Sequence, residues 1–423
     1  LSQTLISSKF PADILKLENG LTVIHQQIPA TPVVVVDVWV KAGAIAEPEE
    51  WCGMAHFLEH MIFKGTERLA PGVFDAVIEN RGGVTNAATS HDYAHFFITT
   101  AVQYLEDTLP VLAELLLNAA IPDDEFLRER DVVLEEIRSC HDNPDFVGFQ
   151  ALTQSIYQHH PYGRPILGTE AQLMERSPEQ MRCFHRAHYQ PENITVVIVG
   201  GVAKETALEL VNRSFQEFSP PTACPLSEAD AEPPLTEIRR QELYLPRLEQ
   251  ARLLMGWIGP GVDQLRDAYG LDLLSILLAG GRSSRLVREF REEKGVVQDI
   301  SSGFSLQRDS SLFTISACLE AQHLERVEAL IRDRLYQLQT TPISEVELQR
   351  CQRLLCNDYA FSTEAPSQLA GLYGYYHTIA KAEVAVTYPE KIQEFQLSDI
   401  QQLAQQYLSP QYYAVTVLHP SWW

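Results

Sequence analysis

The sequence predicts an α+β fold made of two duplicated domains, each a largely antiparallel sheet covered by helices. Three observations carry this expectation. The chain has 423 residues, more than one hydrophobic core usually serves. In the first half strand-like runs come early and helical segments follow in blocks, without the one-for-one alternation of a parallel α/β fold. Pieces of the sequence also recur. Tyr189-Gln190-Pro191 precedes an apolar strand at 194–199, and Tyr407-Leu408-Ser409-Pro410 precedes another at 414–418.

The elements follow in order. Residues 14–17, an Asn19-Gly20 turn, residues 21–25 and residues 33–40 read as hairpin strands, and 93–99 adds another. Gly82-Gly83 precede residues 84–89, and glycines beside a strand permit close backbone approach, so an extended peptide could add to an edge there. A helical stretch at 105–117 leads to Ile121-Pro122 and an acidic helix start, and 324–338 leads to Pro342-Ile343-Ser344-Glu345 in the same way. Residues 219–234 are rich in proline and acids and lack periodicity, as a linker should. The expected domains are therefore 1–218 and 235–423.

The most specific chemistry lies at His56-Phe57-Leu58-Glu59-His60. On a helix, residues four apart share a face with Cβ atoms roughly 5–6 Å apart, so both imidazoles can turn a ring nitrogen onto one metal ion. Residues 53–63 are apolar or helix-favouring and contain no proline, with Gly65 as a plausible end. A mostly buried helix is expected. A catalytic zinc commonly takes three protein ligands and keeps its fourth position for water. Residues 122–139 open with proline and acids and continue as a helix carrying Glu129 and Glu136. Two turns separate these glutamates by about 10 Å, so if one reaches the metal the other supports it from outside or lines the cleft.

The block from Trp51 to Arg138 resembles the pitrilysin/insulinase family of zinc metallopeptidases, the inverzincins, and most closely their processing-peptidase-like branch. Three pieces carry the resemblance. They are His56-x-x-Glu59-His60 continued by Met61-Ile62-Phe63-Lys64-Gly65-Thr66, the segment Gly82-Gly83-Val84-Thr85-Asn86-Ala87-Ala88-Thr89, and Glu129-Arg130-Asp131-Val132-Val133-Leu134-Glu135-Glu136 at the family's spacing. The resemblance implies one zinc ion per chain held by His56, His60 and Glu136, with Glu129 an auxiliary carboxylate and Glu59 the general base. Adjacent Glu135 is the rival ligand, although a helix turns it roughly 100° off the Glu129/Glu136 face. Asn86 and Ala87 become candidate substrate contacts. The family's subunits resemble half of a clamshell, two of which enclose a chamber.

The second half has no His-x-x-Glu-His, so a metal belongs to the first. In related proteins an arginine and a tyrosine seven residues later contact the substrate. Arg291 matches the arginine, but Gln298 stands at the tyrosine position, and an amide cannot supply a phenol's hydroxyl at the same reach. This departure implies a heterodimer in which a related subunit carries the Arg/Tyr pair, with a homodimer the other possibility. The function expected is a zinc endopeptidase acting on peptides or presequence-like segments. The alternative is a noncatalytic scaffold or recognition subunit of the same fold.

Composition sets the background. Lys and Arg number 33 against 56 Asp and Glu, a net charge of −23 that argues against a nucleic-acid or anionic-membrane surface. Seven cysteines lie scattered without a Cys-x-x-Cys pair, which fits reduced thiols in a cytoplasm. No apolar run is long enough to span a bilayer, and Leu1-Ser2-Gln3-Thr4-Leu5 is not signal-like. The other histidines, including His95 and His185, and the helix-end Lys64 read as ordinary packing or solvated residues.

Overall fold

The computed structural model describes residues 10–421 except 226, 228 and 247. It contains two compact units, each built on one sheet.

The first unit takes in the chain up to Ile137, resumes at Arg164, and includes Ser362–Thr387. Its strands are β1 (Asp13–Lys16), β2 (Thr22–Gln27), β3 (Val33–Val40), β4 (Val84–Thr89), β5 (Ala94–Ala101) and β6 (Ile194–Gly200). They lie in the order β1-β2-β6-β3-β5-β4, antiparallel throughout except for β2 beside β6. The Asn19-Gly20 turn closes β1 on β2: Asn19 Oδ1 accepts the Leu21 N–H at 3.1 Å, and Gly20 takes φ +100. The expected hairpin stops there. β2 and β3 do not pair with each other, because β6 from far along the chain lies between them.

The run of valines in β3 is explained by burial on both faces. Val34, Val36, Val38 and Val40 join a core with residues of the helices Met54–Ile62 and Leu105–Leu117. Val35 and Trp39 point the other way, into a second cluster with Leu369, Ala370 and Tyr373 of the helix Pro366–Ile379. That helix lies hard against the sheet at Gly374, where a Cβ would fall 2.0 Å from Trp39 Nε1. Buried Asp37 on the same strand is paired with His95 Nδ1 at 3.0 Å.

The second unit comprises Arg138–Gly163, Ala229–Phe361 and the chain from Tyr388 onward. Its strands are β7 (Arg239–Leu245), β8 (Ala251–Gly259), β9 (Asp299–Ser305), β10 (Ser311–Leu319) and β11 (Ala414–Pro420). Their order is β7-β11-β8-β10-β9, and only β7 beside β11 is parallel. The recurring tyrosine-proline-strand pieces of the sequence thus become β6 and β11, each next to the one parallel partner in its sheet. The fold class is the expected α+β, with two largely antiparallel sheets covered by helices.

Chain order and packing part company at two segments. The helix Pro144–Ile156, from the first half of the sequence, packs on β8 and β11, where a Cβ on Gly148 would lie 3.1 Å from both Leu254 and Leu418. Arg239 of β7 donates to its last carbonyls, Ser155 and Ile156, at 2.9 and 3.0 Å. The helix Pro366–Ile379 makes the reciprocal exchange. Each sheet is thus covered in part by a helix from the other half of the sequence.

Candidate metal centre

The helix Met54–Ile62 buries Met54, Ala55, His56, Phe57, Leu58, Met61 and Ile62, leaving His60 and Glu59 half-buried at its edge. Gly53, just before it, has φ +92 and offers no capping side chain. Glu47 supplies the missing acceptor from the preceding loop. Its Oε1 accepts the Ala55 N–H at 2.6 Å and its Oε2 the Gly53 N–H at 3.0 Å, satisfying two of the donors that every helix start leaves free. Burial pushes the Glu47 carboxyl up to about 8, against the pull of these two bonds and of Arg164.

Glu47→Ala would strand both N–H groups in the core and is expected to lower stability by about 2–4 kcal/mol, measured by denaturant unfolding. The pH dependence has a definite sign. The folded carboxyl holds its proton more tightly than an unfolded one, so Glu47 makes the fold less stable as pH climbs from 4.5 towards about 8. Removing the carboxyl should flatten that slope.

The long helix Asp123–His141 brings a third donor to the two histidines. Glu136 Oε2 lies 3.6 Å from His56 Nε2 and 3.4 Å from His60 Nε2, and the three potential ligand atoms all fall within 4.8 Å of one another. Zinc binds such atoms at about 2.1 Å, and a tetrahedron of that radius has edges of about 3.4 Å. The two carboxylate–imidazole separations match such an edge, and two imidazoles with one carboxylate are a donor set that suits zinc.

Glu129 serves a different atom. Its Oε1 sits 2.9 Å from His60 Nδ1 and its Oε2 2.5 Å from Lys64 Nζ. A proton on Nδ1 donated to Glu129 leaves the Nε2 lone pair directed at the Glu136 carboxylate's side. His56 Nδ1 is buried and has no hydrogen-bond partner among the described residues. Burial opposes the charge on Glu129, but the His60 and Lys64 hydrogen bonds outweigh it and hold the carboxyl below its usual range. Burial likewise disfavours protonation of His60, yet the Glu129 bond with Glu136 and Glu59 nearby raises it. His56, buried and beside His60, is lowered to about 4.

Glu59 is on the same helix, with its Oε2 accepting the Thr89 hydroxyl of β4 at 2.5 Å. Burial raises its carboxyl, opposed by the Thr89 bond and His60. Asn86 and Ala87 lie on β4, the edge of the sheet, with Asn86 exposed and Ala87 half-buried against the core. Arg291 belongs to the second unit, in the π-helical turn Val287–Glu293, where it pairs with Glu292 at 2.9 Å and Asp299 at 3.4 Å. Gln298 is exposed at the mouth of β9. Glu135, next to Glu136 on the same helix, is exposed. The sequence reading missed Glu47 and Thr89 and took Lys64 for a solvated lysine. An acid shortly before a helix without a capping residue was the available signal for Glu47.

Among the described residues no helix is long and apolar enough to cross a membrane. The family model described as insulinase, peptidase family M16, matches residues 22–170, and that of the peptidase M16 inactive domain matches 177–355. A zinc protease of Bacillus subtilis is 28% identical over 82% of this chain and 83% of its own length. One of Mycobacterium leprae is 30% identical over 74% of this chain and 71% of its own. The crystal structure of a Helicobacter pylori protease superposes with a TM-score of 0.90 at 28% identity, covering 97% of this chain and 99% of that one. The "inactive domain" match falls on the region without His-x-x-Glu-His. With both halves matched in order around this site, the chain belongs to the insulinase family of peptidases, M16.

Proposed function

We propose that this chain is a zinc-dependent endopeptidase with one zinc ion, held by His56, His60 and Glu136. The observation that carries the reading is the convergence of those three donors beside a carboxylate, Glu59, that is free to do other work. Zinc bound there would supply a Lewis acid that makes water nucleophilic at neutral pH. Glu59 takes the proton of the attacking water and passes it to the departing amine. Glu129 holds the His60 tautomer, and Lys64 balances its charge. The exposed edge of β4 accepts an extended peptide by strand addition, with Asn86 and Ala87 in contact with it.

A noncatalytic scaffold of the same fold would have no need of this whole set. The scattered cysteines, all free thiols, support a cytoplasmic setting.

Arg291 is the candidate contact from the second half, and Gln298 supplies no phenol beside it, which supports a dimer completed by a related Arg/Tyr-bearing subunit. One experiment tests both parts: metal content and peptide cleavage of the purified chain, alone and with such a subunit. Zinc near one equivalent and a rise in kcat/KM of at least about tenfold on adding the subunit are expected. Full activity alone would refute the split site and leave the peptidase reading standing. No zinc and no cleavage in either case would favour the scaffold.

A further inference from the structure

Glu59 is a flexible side chain asked to face a reacting water, and among the described residues one hydrogen bond fixes its carboxylate. That bond comes from the edge strand. Along β4 the residues alternate, with Val84, Asn86 and Ala88 exposed and Thr85, Ala87 and Thr89 turned inward. Thr85 spends its hydroxyl on the Phe97 carbonyl at 2.9 Å, and Ala87 has none to offer. Thr89 alone on this strand gives its hydroxyl to Glu59. A β-branched residue in a strand has few χ1 choices, so the hydroxyl is aimed before substrate arrives.

The backbone on both sides of this bond is clamped. Just past Thr89, the Ser90 and His91 carbonyls accept the N–H groups of Ala44 and Ile45 at 3.0 and 2.8 Å. The approach is so close that a Cβ on Gly43 would lie 2.3 Å from Ser90 O. The same loop continues to Glu47, which anchors the start of the metal helix. The end of β4 and the beginning of the helix carrying Glu59 are thus tied to one rigid segment.

We propose that Thr89 is a positioning residue for Glu59, its hydroxyl holding Oε2 so that Oε1 faces the water on the side where the peptide joins β4. The proposal rests on the reading of Glu59 as the general base. Thr89 itself exchanges no proton with substrate. It donates one hydrogen bond and keeps it through the reaction, while the water's proton goes to Oε1 and then to the amine.

The test compares Thr89→Val, which keeps the shape and removes the hydroxyl, with Thr89→Ser, which keeps the hydroxyl. Both are measured as the complete protein, with any partner subunit it requires. The expected result for Val is a fall in kcat of about 10–100-fold, with KM and zinc content unchanged, and recovery of most of the rate in Ser. Four results would overturn the proposal: a Val rate within about twofold of the parent, a change confined to KM, loss of zinc, or no recovery in Ser. Glu59→Gln run alongside separates the two ideas. If it is inactive while Thr89→Val is fully active, the base stands and the positioning role falls. If Glu59→Gln keeps its activity, the reading of Glu59 as base falls whatever Thr89 does.

Discussion

A Glu59→Gln variant is expected to bind zinc as the parent does and to cleave peptides about 10²–10⁴-fold more slowly. The substitution is nearly isosteric and touches none of the three donors, whose mutual distances are set by His56, His60 and Glu136. The amide oxygen can still accept the Thr89 hydroxyl, so the side chain stays in place. What disappears is the ability to take a proton from water. Folding should not suffer. Burial works against the charged form of Glu59, and a neutral amide at the same place avoids that penalty. Metal analysis, denaturant unfolding and turnover of a fluorogenic peptide together decide the matter. Cleavage within a few-fold of the parent would remove Glu59 from the role of base, whereas loss of zinc would mean that it supports the metal instead.

What could be read in advance divides along the distance between partners in the chain. His56, Glu59 and His60 were legible because helical spacing alone puts them together. The strand at 84–89 was legible through the resemblance of residues 82–89 to the family's cleft strand. Glu129 and Glu136 could be placed on one helix, but spacing left open which would face a metal. The structure separates them by atom, with Glu136 beside both Nε2 atoms and Glu129 on His60 Nδ1. Lys64 was misjudged because its partner, Glu129, comes from another helix. Thr89 and Glu47 reach the helix Met54–Ile62 from a strand edge and a loop, and no periodicity marks such contacts. The same limit hid β6 between β2 and β3 and hid the exchange of two helices between the halves. An amphipathic segment reveals that it will cover a sheet, and only the tertiary packing selects which one.

Glu136→Ala is expected to lose its zinc on dialysis and to lose cleavage with it, while Glu135→Ala keeps both. The two residues are adjacent on one helix, so they share helix propensity and charge, and each substitution removes one negative charge. They differ in direction. Glu136 brings one oxygen to 3.4 and 3.6 Å from two imidazole nitrogens, whereas Glu135 is exposed and is not in that group of donors. With Glu136 gone, two histidines remain, one fewer protein ligand than a catalytic zinc usually has. The Glu136 side chain is 40% exposed, so its removal leaves no sealed cavity, and with both proteins stripped of metal, which by itself stabilises whatever binds it, the fold should change in stability by no more than about 0.5 kcal/mol. Loss of metal without loss of stability of the metal-free protein is therefore the signature of a ligand. Equal zinc binding by both variants would take Glu136 out of the site, and equal loss would point to a shared effect of charge on the metal.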